Sequence, residues 1–224
     1  MAQSLKKTYS PTRCVRLSKR FIRMCNQFRG ADELTPDVQN AVNNVLQKES
    51  IFNAADENMD YAYDVAQLKD SALDNGVRDT AEASKKFDRD NPSSQVYSLI
   101  FPQHTLPIID KHFKQQPAEV SKLTDRIRNL GPDHPIQQNA SQLQQLAKES
   151  IDAIQALADA EGIRNSSQAD LNAAKFELIK TYNNTILKSI QLFGKNITDK
   201  LFPNIKPNKK IETEIPSEDS VPVA

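Results

Sequence analysis

Three islands of sequence recur in the same order about one hundred residues apart, and any fold for this chain must place them equivalently. Pro36, Gln39-Asn40-Ala41, Leu46 and Lys48-Glu49-Ser50-Ile51 return as Pro135, Gln138-Asn139-Ala140, Leu146 and Lys148-Glu149-Ser150-Ile151, at offsets of 99 and then 100. Val96, Ile100 and Phe101-Pro102 return as Ile197, Leu201 and Phe202-Pro203 at an offset of 101. An offset that drifts by single residues while the order is kept is the signature of an internal duplication.

Each copy reads as a long amphipathic helix. The first opens at Thr35-Pro36, a capping hydroxyl followed by proline in the first turn, where the missing N–H costs nothing. No proline follows until Pro92, and Phe52, Ala55, Met59, Ala62, Ala66, Leu73, Ala83 and Phe87 fall on a three-four repeat rich in small residues. That spacing predicts a helix with a thin, coiled-coil-like seam. Asn75-Gly76 is the one place where a break has a local cause. The second copy opens at Asp133-His134-Pro135 and runs to about Phe202, with Phe176, Ile179, Asn183, Ile186, Ile190, Phe193 and Ile197 stepping by three and four. Arg164-Asn165-Ser166-Ser167 interrupts its stripe, either as a polar helix turn or as a tight hairpin whose second helix is capped by Ser167.

Around these rods lie three further segments. Cys14, Leu17, Phe21, Met24 or Cys25, and Phe28 predict a helix over 12–28 closed by Gly30. Residues 90–134 hold five of the chain's prolines between Pro92 and Pro132, with two apolar clusters, and read as an ordered connector with a short helix over Ala118–Leu130. Residues beyond Phe202 turn to Lys, Glu, Ser and Pro, the composition of a disordered tail. With only five Gly and no apolar/polar alternation of strand length, the fold class is all-α, an elongated bundle. The expected parts are a basic arm over 1–30, a first repeat over 31–107, a connector over 108–132, a second repeat over 133–205 and a tail over 206–224. Neither stripe is wide enough to hold a helix alone, so the two copies are expected to bury their seams against each other.

The pattern resembles several bacterial families of duplicated long-helix bundles in which His-Pro opens a helix and Phe-Pro comes after it. His134-Pro135, Phe202-Pro203 and Phe101-Pro102 carry the likeness. Those families have no assigned activity, so the resemblance implies a fold and no chemistry.

Charge is distributed unevenly although the formal net charge is zero. Residues 1–29 hold eight cations and no acid, leaving 21 cations against 29 acids, a net of −8, for the remainder. The candidate interaction residues are Lys6, Lys7, Arg13, Arg16, Lys19, Arg20 and Arg23, interleaved with Tyr9, Phe21 and Ile22. Three readings stand open. The helix docks its apolar face on the bundle while its cations meet the acidic body; the same contact is made with a neighbouring subunit; or the cations hold the phosphates of nucleic acid or an anionic lipid surface.

Few residues offer other chemistry. His104, His112 and His134 lack the Glu three positions earlier that a di-iron bundle needs, since Phe101, Ile109 and Gly131 stand there, so no metal or cofactor is expected. Asp56-Glu57, Asp60, Asp64 and Asp70 have the spacing of a solvated helix face, and no Gly-rich loop cradles phosphate. Cys14 and Cys25 share a face about 16 Å apart at 1.5 Å per residue, too far for a bridge within the helix. They are either small buried hydrophobes or links to a second chain. No apolar run reaches the 18 residues of a membrane span, and the start lacks the apolar centre of a secretory signal, although an Arg-rich, acid-free start also resembles a transit peptide. The expectation is a cytoplasmic, non-enzymatic scaffold or interaction protein that forms a homo-oligomer or binds a protein partner, with nucleic-acid or anionic-surface binding through the arm as the alternative.

Overall fold

In the computed structural model, residues 2–202 are described, and the tail expected at 206–224 lies outside them. Six helices succeed one another: α1 (Pro11–Cys25), α2 (Thr35–Asp90), α3 (Val96–Ile100), α4 (Leu106–Ile109), α5 (Gln116–Arg128) and α6 (Gln137–Leu201). A 3-10 turn, Asp32–Leu34, leads into α2. No strand occurs among the described residues, and none of their helices is long and apolar enough to cross a membrane.

The described residues divide into two compact units, one of residues 2–44 and 175–202, the other of residues 45–174, and α2 and α6 contribute to both. In the first, α1 starts at Pro11 behind Ser10, whose Oγ accepts from the Arg13 amide at 3.2 Å. Cys14, Val15, Leu17, Phe21 and Cys25 form its buried face. Phe21 stacks on Phe202 with ring centroids 4.2 Å apart, and Tyr182 meets both rings edge-on. The helix stops three residues short of its expected end at Phe28. Gln27 and Phe28 already bond back in three-residue turns, and Gly30 comes next at φ +82, which ordinary side chains avoid.

Gly194 is a break that the repeating stripe does not announce. Its φ of 75 and ψ of 168 are not helical. Ser189 Oγ and Thr198 Oγ1 are 2.9 Å apart across it, whereas nine residues of unbroken helix would advance about 13.5 Å. The segment after Gly194 therefore folds back, and it delivers Leu201 and Phe202 to α1.

In the second unit α2 and α6 pack antiparallel. One core joins Leu73, Val77 and Ala81 of α2 to Ala140, Leu143 and Ala147 of α6, with Ile100 and Phe101 around α3 and Val120, Leu123 and Ile127 of α5. A second, of Ala62, Ala66, Ala153, Leu157 and Ala160, is small-residued, as the seam in the sequence predicts. Neither point of local doubt is a turn. Helix α2 runs unbroken through Gly76, where an added Cβ would lie 2.6 Å from Leu146 Cδ1. Helix α6 runs through 164–167, where Ser167 Oγ donates to the Ile163 carbonyl at 2.9 Å and Arg164 pairs with Asp56 at 2.5 Å. The connector helix covers Gln116–Arg128 rather than 118–130, and each apolar cluster ahead of it forms a short helix.

Candidate functional site

The seven arm cations occupy two stretches of the first unit. Lys6 and Lys7 lie in the extended lead-in, where Leu5 is clamped by Asn183: Asn183 Oδ1 accepts from the Leu5 amide at 2.9 Å, and its Nδ2 donates to the Leu5 carbonyl at 3.1 Å. The Lys7 carbonyl accepts from Lys175 Nζ at 3.4 Å. Both lysine side chains are exposed.

Arg13, Arg16, Lys19, Arg20 and Arg23 fall on α1. At 3.6 residues per turn they share an arc of about 120° and span about 15 Å of axis. Arg16, Lys19, Arg20 and Arg23 are exposed, while Arg13 is half-buried with its guanidinium 4.0 Å above the Tyr9 ring. Of the first reading, the structure shows one half. The apolar face docks within the unit, but among the described residues no ion pair joins an α1 cation to an acid.

This bare charge is costly to a helix. Five pairs of cations stand three or four residues apart, and no acid occupies the first turn, where negative charge complements the helix dipole. Helix α5 shows the ordinary solution. It too buries one face, and its surface carries both signs, with Lys122 bonded to Glu119 at 2.9 Å and Arg128 beside Asp125 at 3.7 Å.

The cysteines and histidines lie elsewhere. Cys14 and Cys25 are free and fully buried, which removes them from the reach of a second chain. Burial pushes the Cys25 thiol up to about 12, and it raises Cys14 against the opposing pull of Lys175 and Arg13. His112 stacks on Phe113, and His134 Nδ1 accepts from the Ile136 amide at 3.2 Å beside Phe87. His104 adopts a left-handed φ of 61 near Tyr97. No group of three or more His, Cys, Asp or Glu side chains that could hold a metal ion occurs among the described residues. A groove of about 780 Å3 between α5 and α6 has Ile151 and Ile154 in its wall and Lys114 and Lys148 as its only ionisable side chains. Comparison with protein-family models, curated proteins and solved structures finds no match to the chain.

Proposed function

We propose that this chain is a non-enzymatic helical interaction protein that binds nucleic acid through the basic face of α1. The observation that carries the reading is the arc of five cations, four of them exposed, with no acid paired to any among the described residues. Guanidinium groups predominate, and they suit phosphate because their planar donors bind it bidentately. The competing lipid reading needs an apolar face to enter the membrane boundary. On α1 that face is spent, since Leu17 and Phe21 are buried in the first unit.

The test is fluorescence anisotropy with a labelled 20-base-pair duplex at several salt concentrations. About five phosphate contacts give a slope of log K on log salt near −4.5, a loss of about 500-fold between 50 and 200 mM. Replacing Arg16, Arg20 and Arg23 together by Gln should flatten the slope by about 2.7. Absence of binding at 50 mM salt overturns the reading, and tight binding to anionic vesicles without DNA binding replaces it by the lipid one.

Self-association is a second reading, favoured by Tyr61 and Leu68, each 69% exposed and seven residues apart on one face of α2. Sedimentation at low and high salt tests it, and a monomer under both conditions counts against it.

The internal duplication is also our proposal. Its support is that the order of elements repeats: a short helix opening at proline (α1, α5), a left-handed glycine (Gly30, Gly131), a long helix, a break, a short helix and a buried phenylalanine (Phe101, Phe202). At an offset of 102 the buried Cys14, Val15, Ser18, Phe21 and Cys25 of α1 fall on Gln116, Pro117, Val120, Leu123 and Ile127, all buried in α5. The same alignment sets the five cations against Gln115, Ala118, Ser121, Lys122 and Asp125. One copy thus does the packing with charges of both signs, so the all-cationic face of the other is attributed to binding.

A further inference from the structure

We infer that the groove between α5 and α6 takes α2 of a second copy of the chain, through an acidic and apolar stripe on the outer face of that helix. The inference rests on the self-association reading and names the two surfaces that meet. Stripe and groove both belong to the unit of residues 45–174. The stripe has heptad spacing: Ala54, Tyr61 and Leu68 recur every seven residues, and Glu57 and Asp64 stand between them at the same interval. At 3.6 residues per turn the five share an arc of about 80°, on the far side of α2 from its buried Ala55, Ala62, Ala66 and Leu73. All five are exposed, Tyr61 and Leu68 at 69%. No cation occurs in the sequence from Glu49 to Leu68, and among the described residues neither Glu57 nor Asp64 has an ion pair. Acids alone would make a solvated face; a regular apolar seam between them is what a partner helix or groove requires.

The groove is complementary in charge, polarity and length. Lys114 and Lys148 are its only ionisable side chains, and neither has an ion pair among the described residues. Of the acids close to them in sequence, Glu119 pairs with Lys122 at 2.9 Å and Glu149 with Lys69 at 2.8 Å, while Asp110 and Asp152 lie outside the lining. Ile154 and Ile151, the latter 54% exposed, form an apolar wall that accepts Tyr61 and Leu68. Helix α6 lines the groove from Ser141 to Gln155, a rise of about 21 Å, and the stripe from Ala54 to Leu68 has the same rise. The chain's own α2 is not available to fill it. That helix already packs on Ala153, Leu157 and Ala160 of α6 through Ala62 and Ala66, which turns its stripe away from α6. Each copy therefore carries one unfilled groove and one uncovered stripe, and a second copy supplies what each lacks.

The experiment is sedimentation of the full chain and its variants over a range of concentrations at low and high salt. Glu57→Lys with Asp64→Lys reverses the stripe, and Lys114→Glu with Lys148→Glu reverses the groove; all four side chains are exposed, so the core is untouched. The native chain should associate, more weakly as salt screens the pairs. Either reversal alone should weaken association by at least about tenfold, because it sets like charges opposite one another. Mixing the two reversed chains should restore it, since each altered surface then meets its opposite. Leu68→Ala leaves the charge alone and should also weaken native association about tenfold. Association of native strength in any of the three variants, or reversed chains that stay apart on mixing, overturns the inference and leaves self-association standing. A native chain that is monomeric at every concentration and salt removes both.

Discussion

Replacing Asn183 should release the lead-in to α1 without unfolding the rest. Its carboxamide pairs with Leu5 as a neighbouring peptide group would, accepting from the amide at 2.9 Å and donating to the carbonyl at 3.1 Å. Asn183→Ala orphans a donor and an acceptor on Leu5, a residue that is 3% exposed. Each orphaned group costs about 1–2 kcal/mol, so keeping the segment docked would cost about 2–4 kcal/mol. Undocking limits that loss. It gives up the burial of the Leu5 side chain, about 2 kcal/mol, and the bonds from Ala2 to Asp199 at 2.6 Å and from Gln3 to the Phe202 carbonyl at 3.1 Å. The two routes lie close together, so the lead-in should open locally, and the melting temperature should fall by only about 4–8 °C. Hydrogen exchange reads this directly: the Leu5 amide loses its protection while Phe21 keeps its own. Asn183→Asp sharpens the test. The aspartate still accepts from the Leu5 amide, but at neutral pH its second oxygen faces the Leu5 carbonyl with no proton between them. Docking favours the protonated acid, which raises its folded-state pKa, so protection should return as the pH falls through that value. Unchanged Leu5 protection in Asn183→Ala would refute the role of the clamp.

Further outcomes hang on single sites. Gly76→Ala gains about 1 kcal/mol of helix propensity but sets a Cβ 2.6 Å from Leu146 and 3.3 Å from Leu143, so a net loss of about 1 kcal/mol is expected in urea melts, and a stabilised variant would contradict the packing. Asp70 is raised by burial and by Asp74, against the pull of His112, and its buried Oδ1 has no partner. Asp70→Asn should therefore stabilise by about 1 kcal/mol at pH 7, with an advantage that shrinks as the pH falls through the raised pKa and the native acid takes up its proton; an equal gap at both pH values would rule this out. For Asp88 burial works upward, but bonds from Ser94 and the Tyr97 and Val96 amides outweigh it and hold the carboxyl below its ordinary range. Asp88→Ala should cost about 2 kcal/mol at neutral pH, and the native contribution should be lost only as the pH falls below the ordinary carboxylate range, which an acid titration of both chains measures.

Much of the fold is written in local signals. Thr35-Pro36 opens α2 and Pro92 stands just past its end at Asp90, because proline acts through its own ring and missing N–H. The docked face of α1 is legible in the spacing of Cys14, Leu17, Phe21 and Cys25, and its basic face in the residues between them. The two decisive glycines are not legible in this way. Gly76 and Gly194 both interrupt apolar helical repeats, yet one stays helical with Leu146 packed close against it and the other reverses the chain. Asn183 is the signal that sequence reasoning passed over. A carboxamide at a position where the stripe calls for an aliphatic is worth asking about, and its partner, the Leu5 backbone, lies 178 residues away.

The basic face and the docked face of α1 pull against each other. Five like-charged pairs at three- and four-residue spacing cost about 0.2–0.5 kcal/mol each, or about 1–2.5 kcal/mol together. Burial of Phe21 between Phe202 and Tyr182 outweighs this, because removing such a phenylalanine costs about 3–5 kcal/mol. Packing therefore keeps α1 helical in spite of its charge. Any polyanion on the face relieves the repulsion, so binding and helix stability rise together. The substitutions that abolish binding should then do the opposite of most mutations. Every one of the repulsive pairs includes Arg16, Arg20 or Arg23. Replacing those three by Gln should raise the stability of the free protein by about 1–2 kcal/mol while weakening its hold on DNA. A triple variant that loses both binding and stability would mean that the cations serve the fold, and the case for a binding face would fail with it.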